Sequence, residues 1–482
     1  MIRNVVPALL LPALLAARAQ EAPKPADPAA PGAKAEAAPK PYAKVVTPEF
    51  KSTQGLFKVH QSGSKVLFEI PKAELGKDLL LVVRVKQSPD GSNAFPGSEV
   101  ASHVLRFETR DQKVLLRILT HYNVAQPGTP MGRAVAAMNS APILMALPVE
   151  TTSAQGDPVV DMTKLFTADI PEINVKTVVG GGSLDASRTF LEKARAYPLN
   201  VNIEALQTFG ATALNDKRPQ ELGRPSQGNL PRTALVHYSF LKLPEKPMMP
   251  RYRDERVGFF SHNFLPFDGN DISVRTEQMI ARFRLEKKDP KAAKSEPVKP
   301  IVFYVDPNTP AQWVPWVKKA VEAWQPSFEE AGFLNAIQCK EAPKDDPDWS
   351  AEDARYSVIR WVPSATPNAR GPHIADPRSG ESLQAHVEIY SNVLQLATTW
   401  YVAQAGPLDP RVKELPLSEE ILGPMLQFVI THEVGHSLGL QHNFKASANY
   451  PLEKLRDRAW LEKMGHVASI MDYSRLNYVV QP

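Results

Sequence analysis

The stretch FVITHEVGHSLGLQHNF, Phe428 to Phe444, holds three of the chain's eleven histidines. An α-helix turns through about 100° per residue. His432 and His436, four apart, therefore stack their rings one turn above the other on one face, where a single ion can bridge them. Glu433 follows the first and points beside that ion. An unbroken helix would carry His442 about 240° round from His436, away from the site. A helix that stops at Gly439 removes the conflict, because glycine takes left-handed dihedrals and ends helices cheaply. With the chain turned there, His442 swings back as a third ligand. The pattern is H-E-x-x-H-x-x-G-x-x-H, with every fixed position filled. Three imidazoles leave zinc's fourth position open, the mark of a catalytic site, with water acidified at the metal and Glu433 placed to take its proton. The bland alternative is a polar-faced helix with satisfied histidines, which leaves the glycine and third histidine to coincidence.

Downstream, ASIMDYS at 468–474 contains Met471 in an S-x-M-x-Y setting. With HEVGHSLGLQHNFKAS, SIMDY and NYVVQP, the sequence resembles the metzincin zinc endopeptidases, and among them the large secreted bacterial zinc-dependent metalloproteases with uncharacterised N-terminal domains. The resemblance runs from about residue 45 to the end and is diffuse before residue 300. It implies one catalytic Zn2+ on His432, His436 and His442, with Glu433 as general base and a protein or peptide substrate. It also implies that the Met471 thioether packs beneath the imidazoles. In some metzincins a tyrosine two residues past this methionine assists at the metal. Tyr473 stands there, as a fifth ligand or oxyanion donor on one reading and as packing on the other. Asn443 and the long spacing from His442 to Met471 depart from the compact families. The family places a further helix beyond the methionine turn, for which SRLNYVVQP is too short, so the domain at 300–482 is expected to be C-terminally incomplete. Some metzincins are silenced by a propeptide cysteine. The single cysteine, Cys339, lies after residue 300, so that device is absent and no internal disulfide can form.

These side chains need a scaffold. IVFYVDP, RYSVIRWV and LQAHVEIYS read as strands. Between the first two, TPAQWVPWVKKAVEAWQPSFEEAG reads as a helix with a Thr309/Gln312 capping box around Pro310. Its apolar stripe is Trp313, Val317, Ala320, Val321 and Trp324; Pro326 should bend it and Gly332 end it. The order implies an α/β catalytic domain, a mixed sheet packed on the HExxH helix. LQAHVEIYS alternates Leu383, Ala385, Val387 and Ile389 with Gln384, His386, Glu388 and Tyr390. By the resemblance it is the substrate-binding edge strand, to which an extended peptide would add; an interior strand is the other reading. His373, Asp376 and His386, around GPHIADPRSGES, are candidates for a second, structural metal; a satisfied turn aspartate and two surface histidines are the alternative.

Residues 46–285 read as β-rich. GLFKVHQSGSKVLFEIP is a hairpin, DLLLVVRVKQS and HVLRFETRDQKVLLRILTHY add strands, and SLDASRTFLEKARAYP reads as a helix. The role of this region is open between prodomain, scaffold and substrate module. Residues 286–299 read as a charged linker and 20–45 as a flexible Ala/Pro/Lys-rich leader. Residues 1–19 have the basic start, apolar core and Ala17-Arg18-Ala19 site of a signal peptide. Export to the periplasm or outside the cell follows, with no stable membrane span after cleavage. At 482 residues, 43% hydrophobic and net charge +4, the α+β chain can bury sizeable cores, and it shows no basic, aromatic-laced patch for nucleic acid. The leading function is an exported zinc metalloendopeptidase. The alternatives are a zinc hydrolase of a non-protein amide or cell-wall peptide, or a surface binding protein with a vestigial metal site. An intact Glu433 argues against the last.

Overall fold

Strand Asp78–Gln87 buries Leu79, Leu81, Val83 and Val85 on one face and Leu80 and Val82 on the other. Such an unbroken apolar run must be covered on both sides. One cover is the interior of its own sheet. Among the described residues eleven strands pair in antiparallel order, and the two ends of the sheet meet where the Leu56 amide donates to the Tyr197 carbonyl at 2.7 Å. The sheet thus curls into a barrel around Phe57, Phe68, Phe107, Phe166 and Phe240. The other cover is the C-terminal half, where Leu80, Val82 and Leu241 pack against Ile374 and Leu383. The structure, a computed structural model, describes residues 39–477 and 479 except 90, 91, 93, 95, 212–229 and 268–272. Residues 39–482 form one compact unit. The segment read as a signal peptide and most of that read as a leader lie outside the described residues.

Three expectations for the first half change. The helix at 183–198 is instead a single tight turn, Ala186–Arg188, capped by Asp185, followed by strand Phe190–Ala196. That strand pairs with Asn200–Phe209 through a bulge between Leu191 and Lys193, so ladder bonding overrides helix propensity. The end of the leader is docked: Tyr42–Val45 forms a helical turn, and the Tyr42 hydroxyl donates to Glu69 at 2.7 Å. The 286–299 segment folds back on itself, with the Lys288 amide on the Glu296 carbonyl at 2.9 Å and Lys287 Nζ on the Ala292 and Ala293 carbonyls.

The second sheet runs Ile337–Glu341, Ile301–Val305, Ser357–Val362, Glu381–Tyr390, Ala369–Arg370, with His373–Asp376 also pairing to Glu381–Tyr390. The first four strands are parallel and the last antiparallel, so the sheet is mixed. LQAHVEIYS is therefore an interior strand. The edge is the short 369–376 stretch, which alternation could not reveal because it is broken by Gly371 and Pro372. Helices Val314–Glu322 and Glu419–Ser437 share one core with this sheet. The capping box does not form: Pro310 caps a tight turn, Ala311–Trp313, with no side-chain cap, and the α-helix begins at Val314. Pro326 breaks the element rather than bending it, since a separate helix Gln325–Glu330 carries it in its first turn. Cys339 sits buried in strand Ile337–Glu341, its thiol pushed up to about 12 by burial. Among the described residues no helix is long and apolar enough to cross a membrane.

Candidate metal centre

The helix Glu419–Ser437 starts behind Ser418 with two glutamates in its first turn and buries Leu426, Ile430 and Val434 against the sheet. Its C-terminal turns carry His432, Glu433 and His436. Leu438 caps it, and Gly439 turns the chain at φ +104°. The Leu440 amide then reaches back to the Gly435 carbonyl at 3.0 Å, closing the helix end. This is the turn that the glycine spacing predicted, and it brings His442 back to the other two. One ring nitrogen from each of the three imidazoles lies within 4.8 Å of the others.

The hydrogen bonds decide which nitrogens face inward. His432 Nδ1 lies 2.7 Å from the Ile470 carbonyl and His436 Nδ1 2.8 Å from the Leu440 carbonyl. A carbonyl only accepts, so both Nδ1 atoms carry the proton and both Nε2 atoms present a lone pair. His432 Nε2 is buried without a partner among the described residues, and His436 Nε2 stands 3.2 Å from His442 Nε2. Burial pushes the His432 pKa down to about 4 and lowers those of His436 and His442, keeping all three neutral. Three converging neutral nitrogens, one of them orphaned, fit a borderline-soft divalent cation such as zinc.

Glu433 stands apart from this set. Burial pushes its carboxyl up to about 7, with the Arg370 charge pulling the other way. Arg370 lies on the last strand of the sheet. The next residue, Gly371, passes so close to the helix that a β-carbon there would run into the Glu433 carbonyl oxygen. Met471 is buried against the helix that carries His432 and His436, and its sulfur occupies the place of any side chain on Gly435. The methionine turn is tied to both arms of the centre: Ile470 holds His432, and the Asn443 amide donates to the Met471 carbonyl at 2.9 Å. Tyr473 is half-exposed, its ring centroid 4.5 Å from that of His442 and 5.4 Å from that of His432. A cleft of about 120 Å³ includes His432, Glu433 and Tyr473 and is walled by Leu396, Trp400 and Phe428.

Sequence reasoning missed the contribution from the first half. The Phe260 amide donates to the Gly439 carbonyl at 2.8 Å, and the Gln441 amide to the Gly258 carbonyl at 3.0 Å. The Phe260 ring sits 5.8 Å from the rings of both His436 and His373. No local pattern in VGFFSHNF announces this; only Gly371, Gly435 and Gly439 hint at close approaches. The proposed second metal group does not assemble, because His432, His436 and His442 are the sole converging group of three among the described residues. Asp376 is satisfied by Arg378 and the 378–380 turn, whereas His386 is buried and faces a different cleft, not the surface.

Residues 414–482 match a family model described as Met-zincin, 97–288 a domain of unknown function (DUF5117), and 39–88 another (DUF5118). No curated protein and no solved structure matches the chain. The Met-zincin match and the three-histidine cluster together bear out the metzincin resemblance of the C-terminal part. They suggest a zinc metallopeptidase whose N-terminal regions match models of uncharacterised families.

Proposed function

We propose that the protein is an exported zinc endopeptidase that cuts peptide bonds with Glu433 as general base. The observation that carries this reading is the pairing of three inward-facing neutral imidazoles with a separate, half-buried carboxyl outside their converging set. Zinc on His432, His436 and His442 supplies Lewis acidity toward a carbonyl and acidifies water. Glu433 accepts the proton from the attacking water and returns it to the leaving amine. On this reading the Tyr473 hydroxyl donates to the oxyanion. The backbone of Ala369–Arg370, last in the sheet, aligns an extended peptide by strand addition. Leu396, Trp400 and Phe428 receive an apolar side chain beside Glu433. Export to the periplasm or the extracellular space rests on the sequence of residues 1–19 alone.

Casein zymography with a zinc chelator tests the proposal. Hydrolysis should vanish on chelation and return with stoichiometric zinc. A zinc-loaded, folded protein inert toward casein and a broad peptide library would favour the amide-hydrolase or binding-protein alternatives.

A further inference from the structure

The face of strand Glu381–Tyr390 opposite the catalytic helix is polar. Ala385, Val387 and Ile389 enter the core with that helix, while Gln384, His386 and Glu388 turn toward the barrel. There they meet Arg84 and His237 across a cleft of about 200 Å³. Polar groups buried at such a boundary are expected to pair, and most do. Lys86 donates to Glu204 at 2.6 Å, an Arg360 terminal nitrogen to Glu352 at 3.0 Å, and the Tyr390 hydroxyl to Glu388 at 3.2 Å.

Three atoms of the cleft's lining residues have no partner among the described residues: Arg84 Nε, Arg360 Nε and His386 Nε2. His386 is only 8% exposed. Arg84 has a single carboxylate within ion-pair reach among the described residues, Glu99 at 3.9 Å, too far for a hydrogen bond. Two of the three orphans are obligate donors, and the third can donate in one tautomer. What the cleft lacks is therefore an acceptor. The carboxylates already there do not fill that need: Glu352 is engaged by Arg360, and burial pushes the Glu388 carboxyl up, toward its neutral form. The volume equals several waters, at roughly 30 Å³ each, and so admits a small acid but not a peptide chain.

We propose that this cleft binds a small oxyanion, either a carboxylate or an inorganic anion of the phosphate or sulfate type, on Arg84, Arg360 and His386. Arg84 comes from the barrel, and Arg360 and His386 come from the catalytic sheet. The bound anion thus bridges the two halves of the molecule, on the far face of the sheet from the metal centre. A planar guanidinium and an imidazole from facing sheets are the donors that carboxylate and phosphate recognition uses.

Thermal unfolding of the full chain, at constant ionic strength with chloride as reference, is the test. Acetate, succinate, phosphate and sulfate are titrated against wild type, Arg84→Met and His386→Gln. A ligand that binds only the folded state raises the melting temperature in a saturable way. At least one of the four anions should do so in wild type, the carboxylate and inorganic arms separating the two sources. The shift should be lost in Arg84→Met and reduced in His386→Gln, with zinc content unchanged in both. Should Arg84→Met fail to fold, Arg84→Lys keeps the charge but loses the fork and should weaken the shift at least tenfold in anion concentration. No rise above chloride in wild type, or an equal rise in the variants, overturns the proposal and leaves the cleft to water.

Discussion

The backbone amide of Phe260 donates to the carbonyl of Gly439, the residue that turns the chain between the second and third histidines, across 2.8 Å. On the other side of that turn, a β-carbon on Gly439 would overlap the carbonyl oxygen of Ala281. Two segments of the first half therefore clamp the loop that delivers His442. The glycine is fixed twice, by its φ of +104° and by this contact.

Gly439→Ala should accordingly cost about 1–3 kcal/mol in stability from backbone strain, before the steric term is added. It should also displace His442 and lower zinc occupancy. Calorimetry and metal analysis check both, and an unchanged melting temperature with full zinc would show that the loop can relax.

Glu433→Gln separates base from ligand. The amide keeps the side chain's shape but cannot take a proton. Turnover should fall by about 10²- to 10⁴-fold, the usual contribution of general base catalysis. Zinc content should stay stoichiometric. Parallel loss of metal would place Glu433 among the ligands.

The pH profile follows from the same carboxyl. Burial raises Glu433 to about 7, and only its ionised form can act as base. A bound cation favours that ionised form and draws the value down. The acid limb of kcat/KM should therefore lie below 7, with activity falling as pH drops through it. Arg370 opposes the upward shift, so Arg370→Gln should move this limb to higher pH. A limb that stays in place would remove Arg370 from the electrostatics of the base.

Tyr473 stands over the imidazoles, half-exposed and held by ring contacts with His442 and Phe444. If its hydroxyl donates only as charge develops, Tyr473→Phe should lower kcat with little change in KM. Equal kinetics would leave the ring as packing.

The metal centre was legible because its chemistry is written at fixed spacing. Two histidines one turn apart, a glycine that ends the helix and a third histidine need no distant partner to be read. What surrounds the centre was not legible, since it depends on contacts between remote segments. Nothing in VGFFSHNF marks Phe260 as a neighbour of His436. Strand Phe190–Ala196 reads as helix because Leu191, Lys193, Ala194 and Arg195 favour one, until the open edge of Asn200–Phe209 captures it. Alternation in Glu381–Tyr390 separated its two faces from Gln384 onward, but Leu383 packs with the barrel side rather than with Ala385, Val387 and Ile389, because the pairing with His373–Asp376 slips there. Nor did alternation show the strand's place in the sheet, which the short 369–376 segment decides.

The clamp on Gly439 also bears on what the first half does. A prodomain must leave, or be cut away, for activity to appear. Here the segments that would have to leave hold the third histidine in place. They are tied further by the Arg282 amide on the Gly380 carbonyl at 2.9 Å and by a two-pronged Arg284–Glu381 pair at 2.6 and 3.0 Å. The apolar contact of Leu80 and Val82 with Ile374 and Leu383 adds burial to these bonds. The exposed turn around Asp289–Lys291 lies between the two halves in sequence, and no part of the clamp depends on its continuity. A protease site placed there should therefore be cut without consequence: the fragments should co-elute on a sizing column, and zinc content and hydrolysis should match the uncut protein. A jump in activity on cutting, with release of the N-terminal fragment, would instead show that the first half restrains the centre rather than building it.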